Sequence, residues 1–376
     1  MEIAFRADAS LYLGTGHVMR CLTLGDGLRE YGANCRFICS EQPGHLLDII
    51  RERGFEVRAL LPTELHCKGK AIQEESLPSH APWYGIDWKA DAHQTLEALK
   101  DAPVDWLIVD HYGLDARWQY AVRPRCQRLM VLDDLADRRH DCYMLLDQNL
   151  GRTAADYASL VPASSKILAG PRFALLRPEF AALREYSVDR RAIPGLKQLL
   201  ITMGGVDNHN ATSKILSALA VCTLPDDCRV TVVLGPHAPW LEQVCDQASH
   251  MPWRTEVLTN VRDMAILMAD SDLAITAAGG TCWEVLCLGL PTALLAVAAN
   301  QLLSATSLNQ LGAAYFLGCF DDSSVSDVEA RLSCLLEDDS TRLRMSKIAT
   351  SLVDGRGVDR VISALRHNLN KLNADA

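Results

Sequence analysis

The sequence has no long basic run, no C-x-x-C pair, no zinc or calcium motif, and no apolar run long enough to cross a bilayer. Each absence removes a class of function. Without clustered Lys and Arg, and with a formal net charge of -10, nucleic acid is not an expected partner. A membrane span needs ~18–20 consecutive apolar residues. The longest candidates, such as Leu286 to Ala299, are interrupted by Gly and Pro and read as buried strand plus loop. Membrane insertion is therefore not expected. The 13 cysteines are odd in number and scattered through 376 residues, which does not read as a disulfide framework. Met1 to Arg6 lacks a basic-then-apolar signal region, so the expected compartment is a reducing cytoplasm. His93, His209 and His237 lack metal-ligand spacing, and no metal is expected. Short repeats and low-complexity tracts are also missing.

What is present reads as α/β. A chain of 376 residues, 49% hydrophobic and 22% charged, fits two globular domains. Strand-like and helix-like segments alternate. Ile3–Arg6, Cys35–Cys39, Phe55–Leu61, Trp106–Asp110, Arg128–Asp133 and Met144–Asp147 read as strands of the first half. The continuous apolar runs ending in Asp are how parallel strands buried on both faces look. Gln198–Met203, Arg229–Leu234, Thr255–Leu258, Leu273–Thr276 and Leu290–Val297 repeat the pattern. The expected architecture is two Rossmann-like domains with parallel sheets, 1–179 and 196–376, joined by a charged linker at 180–195. Two such sheets are expected to leave an inter-domain cleft at their strand ends, where ligands bind in open α/β sheets. Residues 62–90, with Trp83 and Tyr84, read as a long loop, either ligand-facing or a packed surface lid. The tail from Asp321, placed within 196–376, reads as helices closing the fold.

Several clusters could carry chemistry. Gly14, Gly16, His17 and Arg20 lie where the first strand turns into a helix. At a helix N-terminus the dipole disfavours imidazolium, and a neutral imidazole is what a general base needs. The same turn is equally well read as a tight bend whose His caps the helix. Met19 occupies the third glycine position of a dinucleotide fingerprint, so that motif is incomplete. Gly204, Gly205 and Asp207 follow the first strand of the second half, and either seat a pyrophosphate or cap a helix. Gly279, Gly280, Thr281 and Glu284 form a third strand-to-helix turn. Thr281 and Glu284 fit a capping box, or else phosphate sits at the helix start with Glu284 accepting ribose hydroxyls. Asn300 and Gln301 lie just past a strand, where carboxamides can meet sugar hydroxyls or N-acetyl groups. Asp110, His111, Tyr112, Asp133 and Asp134 end buried strands, as caps or as site residues.

In order, F-R-A-D-A-S, G-T-G-H-V-M-R, D-H-Y-G-L-D, D-D-L-A-D, L-D-Q-N-L-G, G-P-R-F-A-L-L-R-P-E-F, M-G-G-V-D, A-A-G-G-T-C-W-E…G-L-P and A-N-Q make a specific combination. Over roughly Ile3 to Gly318 it resembles the UDP-2,4-diacetamido-2,4,6-trideoxy-β-L-altropyranose hydrolases of pseudaminic acid biosynthesis. The second half is also similar to the nucleotide-binding half of the GT-B glycosyltransferases that add N-acetylglucosamine to the peptidoglycan lipid precursor. The resemblance implies a GT-B-like fold. It further implies that His17 is the base for an attacking water, and that UDP is held by the Gly204-Gly205 loop, the Gly279–Thr281 turn and Glu284. Asn300 and Gln301 would then lie near the sugar. It places the reaction one step before condensation with phosphoenolpyruvate; a cofactor-independent monomer or weak homo-oligomer taking a UDP-sugar and water is expected. Gly280 departs from the A-A-G-S-T pattern, removing a hydroxyl but leaving the backbone N–H. Competing readings are a glycosyltransferase with the same donor site, a UDP-sugar 2-epimerase, and a non-catalytic nucleotide-sugar sensor.

Overall fold

Seven parallel strands build the first sheet and six the second in the computed structural model. The structure describes all residues except Tyr12, 63–86, Pro194, His237 and Ala376, and describes 368–375 as backbone only. Most of the expected 62–90 loop, with Trp83 and Tyr84, thus lies outside the described residues, as does His237.

The chain divides into two compact units, Met1–Leu175 with Val358–Ala376, and Leu176–Gly357. The first contains strands β1 (Glu2–Ala7), β2 (Asn34–Ser40), β3 (Glu56–Leu60), β4 (Val104–Asp110), β5 (Cys126–Leu132), β6 (Met144–Asp147) and β7 (Lys166–Ala169). Helices α1 (Gly16–Glu30), α2 (Leu47–Glu52), α3 (Trp88–Ala98) and α4 (Ala116–Val122) connect them. The strand order is β3-β2-β1-β4-β5-β6-β7. The end of the predicted loop is helical instead: Asp87 caps α3, its carboxylate accepting from the N–H groups of Lys89 and Ala90.

The second unit contains β8 (Gln198–Thr202), β9 (Arg229–Leu234), β10 (Arg254–Thr259), β11 (Leu273–Ala277), β12 (Thr292–Ala296) and β13 (Tyr315–Cys319). Their order is β10-β9-β8-β11-β12-β13. Helices α5 (Pro178–Arg190), α6 (Ala211–Leu219), α7 (Leu241–Ser249), α8 (Met264–Asp270), α9 (Thr281–Cys287), α10 (Leu302–Leu311), α11 (Val325–Glu337) and α12 (Asp339–Leu352) belong to this unit, and α13 (Gly357–Asp375) returns to the first.

Two domain boundaries differ from those read in the sequence. The expected linker at 180–195 is largely helix α5, and it is packed into the second unit. Phe180 and Ser187 are buried, and Ser187 Oγ donates to the Leu288 carbonyl at 2.7 Å. The buried Arg191 guanidinium donates to the carbonyls of Met268 (2.8 Å), Ser271 (2.6 Å) and Leu288 (3.1 Å), tying the ends of α8 and α9 to α5. Charge in this segment marks a solvated helix face, not a free connector. The second correction is the tail. Val361, Ile362, Ala364 and Leu365 of α13 join the core of the first unit with Ile3, Phe5, Val18 and Leu22. A Cβ on Gly27 of α1 would lie 2.7 Å from Val358 Cγ1, so this glycine lets α13 approach closely.

Both sheets reverse strand order once, between β1 and β4 in the first and between β8 and β11 in the second. In open α/β sheets the crevice beyond the strand ends at such a reversal is where ligands bind. Helix α1, which follows β1, carries His17 at its start, and β4 ends on Asp110. The loops after β8 and β11 carry Gly204-Gly205 and Gly279-Gly280.

Candidate active site

At the reversal point of the first sheet, side chains close into one charged network. Gly14, with φ 72°, makes the tight turn before α1, and its N–H donates to the Ser10 carbonyl at 2.9 Å. Such a backbone angle is readily adopted only by glycine. Helix α1 then starts at Gly16, which places His17 and Arg20 one turn apart on one face. His17 Nδ1 lies 2.6 Å from Asp110 Oδ1. Arg20 grips the same carboxylate edge-on, Nε donating to Oδ2 at 2.6 Å and Nη2 to Oδ1 at 2.7 Å. The other side of that guanidinium meets Asp134: Nη1 donates to Oδ1 at 3.0 Å and Nη2 lies 2.8 Å from Oδ2. Tyr112 donates its hydroxyl hydrogen to Asp134 Oδ2 at 2.6 Å and sets its ring edge-on to His17, centroids 4.6 Å apart.

The electrostatics follow from this packing. Burial works to raise the carboxyl pKa of Asp110, but Arg20 and then His17 hold it well below the usual carboxylate range. Burial likewise opposes the charge on Arg20, and Asp110 and Asp134 more than restore it. An ionised Asp110 can only accept, so it takes the Nδ1 hydrogen of His17 and fixes the ring's tautomer. In that tautomer Nε2 is the nitrogen with the available lone pair. The helix-end argument singled out His17 but not the carboxylate that orients it.

Arg20, Asp110 and Tyr112 bond largely to one another and to Asp134. Asp133 and Asp134, read alike in the sequence, do different work. Asp133 makes the turn, accepting from the Leu135 and Ala136 N–H groups at 3.2 and 2.8 Å, and pairs with Arg138 at 2.8 Å. Asp134 joins the site, with Asn149 Nδ2 donating to its Oδ1 at 3.1 Å. His111 turns away from the site. Its Nε2 lies 3.4 Å from Asp8 Oδ2, while its Nδ1 accepts from the Gly113 N–H at 3.0 Å. Asp8 is held by Arg6 at 2.6 and 2.9 Å and by the Ser40 N–H at 2.7 Å. Arg6 also donates to Asp91, which accepts from Trp118 Nε1 at 2.8 Å. The F-R-A-D-A-S segment is thus the buried footing of the 110–112 segment.

The second unit offers backbone in place of charge. Gly204 has φ 94°, and no atom lies within 4 Å of a Cβ placed there or on Gly280. Of the two readings of Asp207, pyrophosphate seat or cap, the cap forms: its two oxygens accept from the Ala211 and Thr212 N–H groups at 2.8 and 2.9 Å. Asn210 caps the same helix end through Ser213, so that end is closed by the chain itself. The capping box expected at Thr281 and Glu284 does not form. Gly280 stands at the N-cap, and Thr281 and Glu284 lie inside α9. Glu284 keeps 23% of its side chain exposed and lies 4.0 Å from Arg177. Burial pushes its carboxyl up to about 7, against the pull of Arg177. Gln301 Oε1 accepts from the Val297 N–H at 3.0 Å. Its Nε2 would sit 3.6 Å from a Cβ on Gly279, so the loops after β11 and β12 meet there. Asn300 precedes it in the turn Ala299–Gln301. Sequence reasoning missed Gly235. A Cβ there would fall 2.1 Å from the Gly205 carbonyl oxygen, which accepts the Gly235 N–H at 2.9 Å.

This arrangement of sheets matches solved structures over almost the whole chain. The MurG structure from Acinetobacter baumannii superposes with a TM-score of 0.68 at 16% identity, covering 97% of this chain and 99% of that one. The fold is that of a GT-B glycosyltransferase. Residues 199–357 match the glycosyltransferase family 28 C-terminal domain. An uncharacterised protein of Methanocaldococcus jannaschii is 26% identical over 332 residues, 84% of this chain. The chain spans only 62% of that relative's length. A Campylobacter jejuni protein named UDP-2,4-diacetamido-2,4,6-trideoxy-beta-L-altropyranose hydrolase is 23% identical over 312 residues, 83% of this chain and 97% of its own. The resemblance read from the ordered motifs therefore holds. No helix among the described residues is long and apolar enough to cross a membrane.

Proposed function

We propose that this GT-B chain hydrolyses UDP-2,4-diacetamido-2,4,6-trideoxy-β-L-altropyranose to the free sugar and UDP, a step in making pseudaminic acid. The observation that carries the reading is His17 Nδ1 against the buried Asp110 carboxylate at 2.6 Å, which orients the ring with Nε2 as the basic nitrogen. Water bonds to the anomeric carbon as the bond from that carbon to the diphosphate oxygen breaks. One water proton passes to His17 Nε2, and the electron pair leaves with UDP, so the anomeric centre inverts. General base assistance of this kind is worth ~10²–10⁴-fold. In the second unit the Gly204-Gly205 loop and the Gly279–Thr281 turn are assigned to the diphosphate, and Glu284 to the ribose hydroxyls. Asn300 and Gln301 are assigned to the sugar. The name borne by the Campylobacter jejuni relative supports the substrate choice.

A glycosyltransferase using a UDP-N-acetylhexosamine donor is a second reading, favoured by the family 28 match over 199–357. Incubation with donor alone separates the two, because a hydrolase releases UDP to completion without an acceptor. Replacing His17 with Leu tests the base: a folded variant that still releases UDP at the parental rate overturns the role. In ¹⁸O-water the label is expected in the sugar. Label in UDP would mean attack at phosphorus.

A further inference from the structure

We propose that Asp134 is a positioning residue: through Arg20 and Tyr112 it sets the orientation of both groups that flank His17. The inference rests on the reading of His17 as the base, and starts from a count of donors and acceptors. An ionised carboxylate offers about four acceptor sites. Asp134 Oδ1 accepts from Arg20 Nη1 at 3.0 Å and Asn149 Nδ2 at 3.1 Å. Its Oδ2 accepts from Tyr112 at 2.6 Å and lies 2.8 Å from Arg20 Nη2. Protein donors thus occupy both oxygens, so its role is exerted through those donors and not on a substrate hydroxyl.

The same count applies to Arg20. A planar guanidinium has five N–H donors in a fixed fork. Nε and Nη2 serve Asp110, while Nη1 and Nη2 serve Asp134. With one carboxylate alone the fork could swing, and the Asp110 carboxylate plane with it. Anchored at both edges, the fork fixes that plane, and the plane aims Oδ1 at His17 Nδ1. Tyr112, hydrogen-bonded to the same Asp134, stands edge-on against the imidazole with an interplanar angle of 87°. Among the described residues, Arg20 from α1 and Asp110 and Tyr112 from the end of β4 face His17, and Asp134 from beyond β5 reaches it through Arg20 and Tyr112. One side chain past β5 steadies the contacts on two sides of the ring.

The test is Asp134→Asn, which keeps the shape but turns a donor toward Arg20, Tyr112 or Asn149. With UDP-2,4-diacetamido-2,4,6-trideoxy-β-L-altropyranose as substrate, kcat is expected to fall about 10- to 100-fold, the scale of a small misplacement. KM is expected to stay within about twofold. In the ligand-free protein, the ¹⁵N resonances of His17 should change from a single Nδ1–H tautomer to a mixture. Unchanged kcat with an unchanged tautomer overturns the proposal. Should Asp134→Asn fail to fold, Arg20→Lys, which keeps the charge but cannot bridge two carboxylates, reads the same two quantities by the same criteria. The two hypotheses fail separately. Undiminished UDP release by a folded His17→Leu variant defeats the base. A dead His17→Leu beside an unaffected Asp134→Asn defeats only the clamp.

Discussion

The two units share a doubly wound parallel sheet and a single reversal of strand order, yet they furnish their reversal points differently. In the first unit the start of α1, the end of β4 and the turns after β4 and β5 deliver side chains: His17, Arg20, Asp110, Tyr112 and Asp134 lock together through charge and hydrogen bonds. In the second unit they deliver bare backbone. Gly204 and Gly280 leave open space, and the polar side chains nearby are largely committed to helix caps and loop contacts. The same scaffold thus supports an oriented titratable group in one place and close approach to main chain in the other. Reactive groups need fixed direction, which buried ion pairs impose. Close approach to main-chain N–H groups needs room, which a side chain would take away.

The sharpest way to break this contrast is to neutralise the charged side. Asp110→Asn keeps the shape but turns an amide toward His17 or Arg20, so the imidazole loses its fixed tautomer. A loss of about 10²–10⁴-fold in kcat, with KM little changed, is expected in a steady-state assay of UDP release. A loss below threefold would mean that charge does not orient the ring. The backbone side is probed at Gly235. A methyl group there would collide with the Gly205 carbonyl. Gly235→Ala should cost about 1–3 kcal/mol of stability in a denaturant titration and weaken UDP binding measured by calorimetry. Unchanged UDP affinity would remove the Gly204-Gly205 loop from the nucleotide site.

A third measurement sharpens the charged side. Tyr157 Oη lies 3.0 Å from Asp133 Oδ2 and 2.8 Å from Asp147 Oδ2, and it has one hydrogen to give. A proton on Asp147 supplies the second hydrogen bond. Burial, then the nearby Asp134 charge, pushes the Asp147 carboxyl up to about 7. Its folded pKa is thus above the unfolded value. The stability it contributes is complete below the unfolded pKa, near 4, and is lost as pH rises to about 7 and beyond. Asp147→Asn mimics the neutral acid. It should be more stable than the parent by about 1 kcal/mol at pH 8, with the difference vanishing at pH 4. Equal unfolding midpoints at both pH values would contradict the shared-proton arrangement. The smallest effect is expected at Gly280→Ser, where nothing lies within 4 Å. Stability should move by less than about 0.5 kcal/mol, and UDP affinity should rise by a few-fold at most if the hydroxyl reaches phosphate.

Much of this was legible in the residues. Apolar runs such as Trp106–Asp110 announce strands buried on both faces, and the structure places β4 there. The short strands β7 and β13 were not read. β7 has only four residues, and β13 contains Gly318 and pairs with β12 across a register shift. Helix α5 reads as a linker because its charged residues are exposed or half-buried and only Phe180 and Ser187 of the helix are buried, so its charge hid the anchoring by these two and Arg191. Glycine spacing drew attention to His17, whereas Asp134 looked like the turn-forming Asp133 beside it. Asp207 was legible as a cap or a ligand, and hydrogen bonds to Ala211 and Thr212 select the cap.

Local pattern alone determined the alternation of strand and helix, the parallel sheets, and the turns that break into helices at Gly14–Gly16, Gly204-Gly205 and Gly279-Gly280. Periodicity and backbone freedom act between near neighbours, so they can be read along the chain. Tertiary structure decided what His17 faces, because Asp110 is 93 residues away and the Arg20–Asp134 contact spans 114. It also decided that α13 returns to the first core. Such pairings arise from strand order and burial. Only the folded sheet brings the ends of β1, β4 and β5 side by side.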